Sequence, residues 1–171
     1  MIIIIEGTPA VWPKKEITWF KKSGIKRKKP IVFSKSTNKW KAWKQAIGIA
    51  MNQALSDSPL ESYARSDSLS VSMLFVLPKP KKCKYNWPIH NGEGDADNYG
   101  YAPSNLLQGR LYPDDVQICD NHVIKTYYRR VIIDQWCVSH KVPIVKDGFT
   151  GAIIKIDKED LLILIKVACL E

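Results

Sequence analysis

The chain has 171 residues, of which 45% are hydrophobic, and it carries a formal net charge of +9 at pH 7. This length suits one domain whose core needs no disulfide or metal to stabilise it. The four cysteines form no C-x-x-C pair, which argues against a disulfide framework and predicts reduced thiols in a cytoplasmic protein.

The positive charge is concentrated in the first third of the chain. Between Lys14 and Lys44 there are twelve lysines and arginines and one acid, Glu16, so this segment carries +11 and the remainder −2. Such asymmetry favours a polyanionic partner, with the segment forming an electrostatic footprint on phosphate groups. The alternative is a solvated basic surface that keeps the protein in solution.

Ile2–Glu6 is a short β-branched run, and we predict that it forms a central strand. The run MIIIIEG has no basic leader and is too short to cross a bilayer, so we expect neither a signal peptide nor a membrane span. A long basic connection follows, in which aromatic residues alternate with cations. They either stack on unpaired bases or anchor a long loop to the core; they are Trp12, Trp19 and Phe20.

The next elements are a strand, a long helix and a second strand. Pro30–Phe33 is compatible with a short strand, and Ser36 or Thr37 is the predicted cap of a helix with a core-facing apolar stripe from Trp40 to Leu55. A polar linker follows at residues 56–67. The run at residues 68–77 is then predicted to enter the interior of the sheet as a strand.

A lysine-rich, proline-rich loop, residues 78–84, leads to an acidic region. We predict a short helix from Asp97 to Gln108, limited by Gly100 and Pro103, and then one long strand or a hairpin over residues 116–133. Residues 151–157 are the predicted last strand, and Asp157 is a possible cap of an apolar terminal helix that covers the sheet or forms a dimer interface.

Two acidic pairs carry the most specific chemistry in the sequence. Asp95 and Asp97 are separated by one residue, and the adjacent Asp114 and Asp115 follow after a helix-compatible segment. If both pairs meet at one end of the sheet, mutual repulsion favours a hard divalent cation such as Mg²⁺, which prefers oxygen ligands. The alternative is that these acids only cap helices and form turns, where aspartate is common.

A zinc site is a competing metal hypothesis. Cys119 with His122, and Cys137 with His140, form two C-x-x-H pairs. Residues three apart in a strand point to opposite faces, which argues against Cys119 and His122 acting together. We therefore interpret the two histidines as surface or interface residues.

The order D-A-D-N at residues 95–98, D-D at 114–115, then Asp120 and Lys125 resembles the signature of the RusA-like Holliday junction resolvases. The resemblance implies an α/β (α+β) single domain with helices packed on a mixed β-sheet, a nuclease domain at 1–134 and a C-terminal extension at 135–171. It implies Mg²⁺, with Mn²⁺ as a possible substitute, bound by Asp95, Asp97, Asp114 and Asp115.

The same resemblance implies function and partners. Asp95, Asp97 and Asp115 would be catalytic in a homodimer that resolves four-way DNA junctions by paired phosphodiester hydrolysis, in a cytoplasmic, bacterial or phage-encoded protein without membrane contact. DNA would be held by basic residues of the first third, the lysine-rich loop and the following strand: Lys14, Lys15, Lys26, Arg27, Lys28, Lys29, Lys81, Lys82, Lys84 and Lys125.

The chain departs from the family pattern at one position. Where family members carry a lysine, one helical turn after Asp97, this sequence has Tyr101. Lys125, Lys84 or a lysine of a second subunit is a possible replacement. Two rival hypotheses follow: a non-catalytic protein that binds structured DNA, and a metal-dependent nuclease for flaps or duplex ends.

Overall fold

The computed structural model describes residues 1–11, 15–18, 21–22, 25–26, 31–34, 37–57, 63–89 and 94–158. Its strands are β1 (Ile2–Glu6), β2 (Lys15–Thr18), β3 (Lys21–Lys22), β4 (Ile25–Lys26), β5 (Ile31–Ser34), β6 (Leu69–Leu77), β7 (Ile118–Tyr127) and β8 (Gly151–Lys158). Its α-helices are α1 (Asn38–Asp57), α2 (Ala96–Leu107) and α3 (Arg130–Ser139).

Four strands form a mixed sheet in the order β1-β8-β6-β7. β8 pairs antiparallel with both β1 and β6, whereas β6 and β7 are parallel. Helices α1 and α2 cover one face and α3 covers the other. The predicted α+β domain with a mixed sheet is therefore confirmed.

Strand β1 lies at the edge of this sheet, so the predicted central position was wrong. Ile3 and Ile5 are buried, whereas Ile4 is 36% exposed, and β8 is the only described strand that pairs with β1. Because isoleucine occupies both faces of β1, the sequence predicted that both faces would be buried. The structure instead buries one face under α1 and leaves part of the other beside a groove.

Helix α1 begins where the sequence predicts. The Thr37 hydroxyl oxygen accepts a hydrogen bond from the Trp40 amide at 3.2 Å, which satisfies one of the free N–H groups of the first turn. Its buried side chains, spaced three to four residues apart, pack against Ile3 and Ile5; they are Trp40, Trp43, Ile47 and Met51. The helix continues to Asp57, into the predicted linker.

The segment from β6 to β7 forms a βαβ unit. Two parallel neighbours must be joined by a crossover, and α2 supplies it, packed so closely that Gly100 faces Val123 of β7. Pro103 lies inside α2 without ending it, and Gly109, at φ 75°, follows the helix. The predicted helix is thus present, and it runs from the carboxyl end of β6 back to the start of β7.

Residues 130–139 form helix α3, so the predicted strand or hairpin over 116–133 is wrong beyond Tyr127. The buried residues Ile133, Trp136 and Cys137 have helical spacing and pack against Leu74 of β6. The β-branched residues Val131 and Ile132 favoured the strand interpretation. Tertiary packing against the sheet outweighs that local preference.

The predicted last strand is confirmed as β8, which lies between β1 and β6 inside the sheet. The proposed domain boundary at residue 134 falls within α3. The predicted strand at 30–33 corresponds to β5, whose backbone pairs with β2, and a second small hairpin joins β3 and β4. The predicted terminal helix lies outside the described residues.

No helix in the described ranges is long and apolar enough to cross a membrane. The three cysteines of these ranges, Cys83, Cys119 and Cys137, are free thiols.

Candidate functional site

The first acidic pair lies at the N-terminus of α2, just beyond the carboxyl end of β6. Asp95 is the N-cap residue, with extended backbone at φ −63° and ψ 161°, and its carboxylate makes no capping hydrogen bond. Asp97 lies in the first turn, and both residues are exposed. The positive end of the helix dipole stabilises negative charge here, so this end of α2 favours both carboxylates in their ionised form.

Lys125 fixes the backbone next to this pair. Its ammonium group donates a hydrogen bond to the carbonyl oxygen of Gly94 at 2.7 Å, across the gap between β7 and the residue that precedes Asp95. Lys125 is half-buried. Lys125, which was predicted to bind DNA, is therefore bonded to the backbone just before Asp95. It positions that backbone and also places a positive charge there.

Gly94, just before the acidic pair, also packs closely against Val11 from the start of the chain. A Cβ atom built at Gly94 would lie 3.2 Å from the Cβ of Val11 and 3.3 Å from that of Asn98, and it would overlap Val11 Cγ1. Only glycine permits this approach. The contact matters because the basic segment begins at Lys14, three residues after Val11.

The lysine-rich loop lies at the same end of the sheet. Lys81, Lys82 and Lys84 are exposed. The loop is held to the end of β7 by Cys83, whose thiol lies 3.7 Å from the hydroxyl of Tyr127. Lys79 is exposed as well, so the side chains of all four lysines of the loop are accessible for phosphate contact.

Sequence reasoning did not identify Trp87. Its ring lies 6.0 Å from the guanidinium carbon of Arg129, which is close enough for a cation–π interaction, and 43% of the residue is exposed. An exposed indole beside a cation can stack on a base while the cation binds the backbone. The available signal was the single tryptophan just after the lysine-rich loop.

The second acidic pair has a different setting. The Asp114 carboxylate accepts a hydrogen bond from the Val116 amide at 3.2 Å, and the Gln117 side chain accepts one from the Asp114 amide at 3.2 Å. This capping box begins a 3₁₀ turn, Asp115–Gln117, just before β7. Asp115 is exposed in the first position of that turn.

Tyr112 lies close to this second pair. Burial raises the pKa of Tyr112 to about 12, and the negative charge of Asp115 adds to the effect, whereas a hydrogen bond with the Ser104 side chain opposes it. The Tyr112 hydroxyl also donates a hydrogen bond of 3.0 Å to the Ser104 carbonyl oxygen. The phenol therefore stays neutral and ties the end of α2 to the turn that leads to the acids.

Within one chain, the two pairs lie at opposite ends of α2. The helix has 12 residues, a length of about 18 Å at 1.5 Å per residue. The reason is the crossover: a helix between parallel strands carries the chain from the carboxyl end of one strand to the start of the next. The expected meeting of both pairs at one end of the sheet is therefore not seen in the chain.

The other predicted residues are placed as follows. Lys15 and Lys26 lie in β2 and β4, of which the structure describes the backbone course. Four predicted DNA-binding cations lie outside the described residues: Lys14, Arg27, Lys28 and Lys29. Tyr101 is on α2 one turn after Asp97, with 54% of its surface exposed.

No group of three or more histidine, cysteine or acidic side chains in the described ranges could hold a metal ion. This includes both C-x-x-H pairs of the zinc hypothesis. Cys137 is buried in α3, where burial raises its thiol pKa, whereas the His140 ring stacks on Trp136 at 4.1 Å. His140 therefore has a packing role.

The first pair alone still suits Mg²⁺. This ion usually keeps several waters and takes one or two carboxylates together with substrate phosphate, so a complete protein cage is not required. Asp95 and Asp97 supply two exposed carboxylates, and Lys125 is bonded to the residue just before them. The donor set fits the ion, and a complete site needs further ligands from substrate, water or another chain.

A comparison with curated proteins finds no match. The family model described as Endodeoxyribonuclease RusA matches residues 13–134, which include the basic segment, the βαβ unit and both acidic pairs. This match covers most of the chain, and it agrees with the resemblance carried by the D-A-D-N and D-D motifs. The chain belongs to the RusA endodeoxyribonuclease family.

Proposed function

We propose that the protein is a Mg²⁺-dependent endodeoxyribonuclease that resolves four-way DNA junctions as a homodimer. The observation that supports this most directly is the exposed Asp95–Asp97 pair at the start of α2, inside the segment matched by the RusA family model, with Lys125 bonded to the preceding Gly94 carbonyl. A two-fold dimer suits the substrate because two related strands must be cut.

The reaction is hydrolysis of a phosphodiester: a water oxygen bonds to phosphorus and the bond from phosphorus to the leaving oxygen breaks. Bound Mg²⁺ would supply Lewis acidity at the phosphate and lower the pKa of a bound water. Asp95 and Asp97 would hold the ion, for which Mn²⁺ is a possible substitute. Lys125 holds the Gly94 carbonyl, so the backbone before Asp95 keeps its position during the reaction.

Asp115 is the third proposed catalytic acid, and Asp114 supports it through the capping box. A Mg²⁺ ion accepts ligands at 2.0–2.1 Å, a distance that an 18 Å helix does not allow both pairs of one chain to share. We infer that Asp115 reaches the ion bound by Asp95 and Asp97 of a second copy. Each active site of the homodimer then contains residues of both subunits.

DNA contacts are assigned to the cations around the first pair. Lys81, Lys82 and Lys84 bind phosphates flanking the cut, and the basic segment that follows Val11 holds the arms of the junction; its proposed contacts are Lys14, Lys15, Lys26, Arg27, Lys28 and Lys29. Trp87, beside Arg129, stacks on an unpaired base at the crossing point of the strands.

The test is cleavage of a synthetic four-way junction with and without Mg²⁺, compared with a linear duplex of the same sequence. We expect Mg²⁺-dependent paired cuts in the junction and slower cutting of the duplex. Equal rates on both substrates would contradict junction specificity and favour the flap or duplex nuclease. Tight, salt-sensitive binding without cleavage would favour the non-catalytic protein.

A complementation experiment tests the shared site. Asp95→Asn and Asp115→Asn proteins are each expected to be inactive, and mixing them should restore one intact site in each mixed dimer. Recovered cleavage supports sharing between two copies. If the mixture stays as inactive as either variant, while wild-type subunits are shown to exchange, each site uses acids of one chain only.

Tyr101 allows a test of the non-catalytic alternative. The side chain is exposed one turn after Asp97, so Tyr101→Lys should be accommodated by the fold. If a missing cation limits the chemistry, this variant cuts junctions about tenfold faster, because a charge near the phosphate stabilises the transition state by about 1.4 kcal/mol. An unchanged rate means that another residue, such as Lys125, already supplies the charge.

A further inference from the structure

Residues 85–89, which follow the lysine-rich loop, expose three large apolar side chains. Tyr85, Trp87 and Ile89 are 51%, 43% and 66% exposed. So much apolar surface within five residues is unfavourable in water and marks a contact with a partner.

The backbone that carries these side chains is anchored to the fold. Pro88 is buried between the exposed Trp87 and Ile89. The Ile89 amide donates a hydrogen bond of 2.9 Å to the Trp87 carbonyl oxygen, which closes a tight turn around Pro88. Arg129, the N-cap residue of α3, lies 6.0 Å from the Trp87 ring. Side chains on a fixed backbone lose little conformational freedom on binding, so their exposed surface adds to affinity.

The charge around the three side chains favours a polyanionic partner. Residues 78–89 contain four lysines and no acid, and Arg129 adds a fifth cation beside Trp87. The partner therefore combines negative charge with flat apolar faces, as nucleic-acid bases on their phosphate backbone do. In a linear duplex those faces are covered by neighbouring bases, whereas at the branch point of a four-way junction the stack is interrupted.

We propose that Tyr85, Trp87 and Ile89 form an apolar wedge that opens the base pair at the branch point of the junction. Trp87 stacks on one freed base, and Ile89 fills the space that the pair leaves. The wedge rests on the proposed function, since it presupposes a branched DNA substrate, and it adds the step that distinguishes a junction from a duplex. Apolar side chains inserted between bases unstack them, and displacement of a base costs least where pairing or stacking is already weakened.

The wedge also limits the distance between the branch point and the cut. Trp87 lies beside Arg129, and Lys125, four residues earlier, is bonded to Gly94 just before the first acidic pair. Four residues of extended chain span about 13 Å, which corresponds to about four nucleotides at 3.4 Å each. We therefore expect cuts within about four nucleotides of the branch point. Cuts at more than about twice that distance would overturn the proposal.

Binding of partly opened junctions tests the wedge without catalysis. The full-length protein is titrated in EDTA with a fully paired four-way junction and with one that carries a mismatch beside the branch point, because a mismatched base is easier to displace. We expect the wild type to bind the mismatched junction about tenfold more tightly, and Trp87→Ala and Ile89→Ala to bind both junctions alike. Equal affinity of the wild type for the two junctions would overturn the proposal.

A matched control and a direct readout accompany the titration. Ile144→Ala is the control for Ile89→Ala, because Ile144 is 56% exposed in the loop after α3, which packs on the other face of the sheet. This control should keep the tenfold preference. Permanganate oxidation of thymines next to the branch point should increase when the wild type or Ile144→Ala binds, because one base of the opened pair loses its partner. An increase that persists in both Trp87→Ala and Ile89→Ala would overturn the wedge.

These outcomes are separable from those of the proposed function. If the wild type cuts junctions with Mg²⁺ but shows no preference for the mismatch, the wedge is refuted and the nuclease remains. If the wild type binds neither junction, both are refuted.

Discussion

The two ends of helix α2 use the same residue type differently. At its start, Asp95 and Asp97 are exposed, Asp95 makes no capping bond, and Lys125 and a lysine-rich loop lie nearby. Beyond its end, the Asp114 carboxylate is occupied by the Val116 amide. Asp95 at the first end is exposed and makes no capping bond, whereas Asp114 at the second end stabilises a turn.

This difference shows that an acidic motif does not by itself identify metal ligands. Aspartate is favoured at helix and turn N-termini because its carboxylate accepts backbone N–H groups. A carboxylate that has no such bond and stands beside cations is the stronger functional candidate.

Asp95→Asn should produce the largest effect. We expect junction cleavage to fall at least about a hundredfold, because loss of even an outer-shell partner of a bound metal reduces activity 10- to 100-fold. The free energy of unfolding should be unchanged. Asp114→Ala is the contrasting change, expected to lower that free energy by about 1 kcal/mol through loss of the cap. Full activity of Asp95→Asn would remove this end of α2 from the active site.

Replacing Lys81, Lys82 and Lys84 by glutamine should weaken DNA binding for all sequences. Each lost phosphate contact reduces the slope of log K against log salt by about 0.9, or about 2.7 for three. Binding titrations at several salt concentrations measure this. The control is Lys141→Gln with Lys146→Gln on the α3 side, which should leave the slope unchanged. An unaltered slope in the triple variant would exclude the loop from the interface.

Gly94→Ala should disturb the first end alone. The added Cβ overlaps Val11, and such overpacking costs about 1–3 kcal/mol or shifts the backbone before Asp95. Cleavage should fall about tenfold, and Val11→Ala should partly restore it by making room. Gly48→Ala, in α1 with nothing within 4 Å of the new Cβ, is the control and should be neutral or stabilising. Equal behaviour of the two alanine variants would argue against the contact.

The smallest effect concerns the second end and alkaline pH. The pKa of Tyr112 is raised from its ordinary value of 10 to about 12 in the folded state, so the folded protein binds more protons than the unfolded chain between these values. Stability should therefore decrease as pH rises from about 10 to 12. Tyr112→Phe should reduce this dependence and cost about 1 kcal/mol at neutral pH. Urea unfolding at pH 8 and pH 11 measures both, and an identical pH dependence in the variant would contradict the assignment.

Local patterns in the sequence predicted the elements whose signals are local. The Thr37 cap, the apolar stripe of α1 and the strand at β8 all depend on neighbouring residues, and each is present. The edge position of β1 and the parallel course of β6 and β7 depend on pairings between distant segments. Residue periodicity contains no information on those pairings.

The candidate site, too, was predicted where its signals are local and missed where it depends on contacts between distant residues. The spacing of Asp95 and Asp97 indicated a pair at a helix start, and the pair is there. The distance between this pair and Asp114 follows from the direction in which α2 crosses from β6 to β7. Local patterns in the sequence did not predict that direction. The contacts of Lys125 with Gly94 and of Arg129 with Trp87 join residues far apart in the chain, so only the folded structure identifies them.

The position of β8 has a consequence for biosynthesis. β8 separates β1 from β6, and Ile2 is paired with Lys155. While a ribosome still holds residues 151–158 in its exit tunnel, none of the other described strands pairs with β1, and the sheet that supports α2 is incomplete. The fold around the first acidic pair is therefore completed only after β8 has been translated.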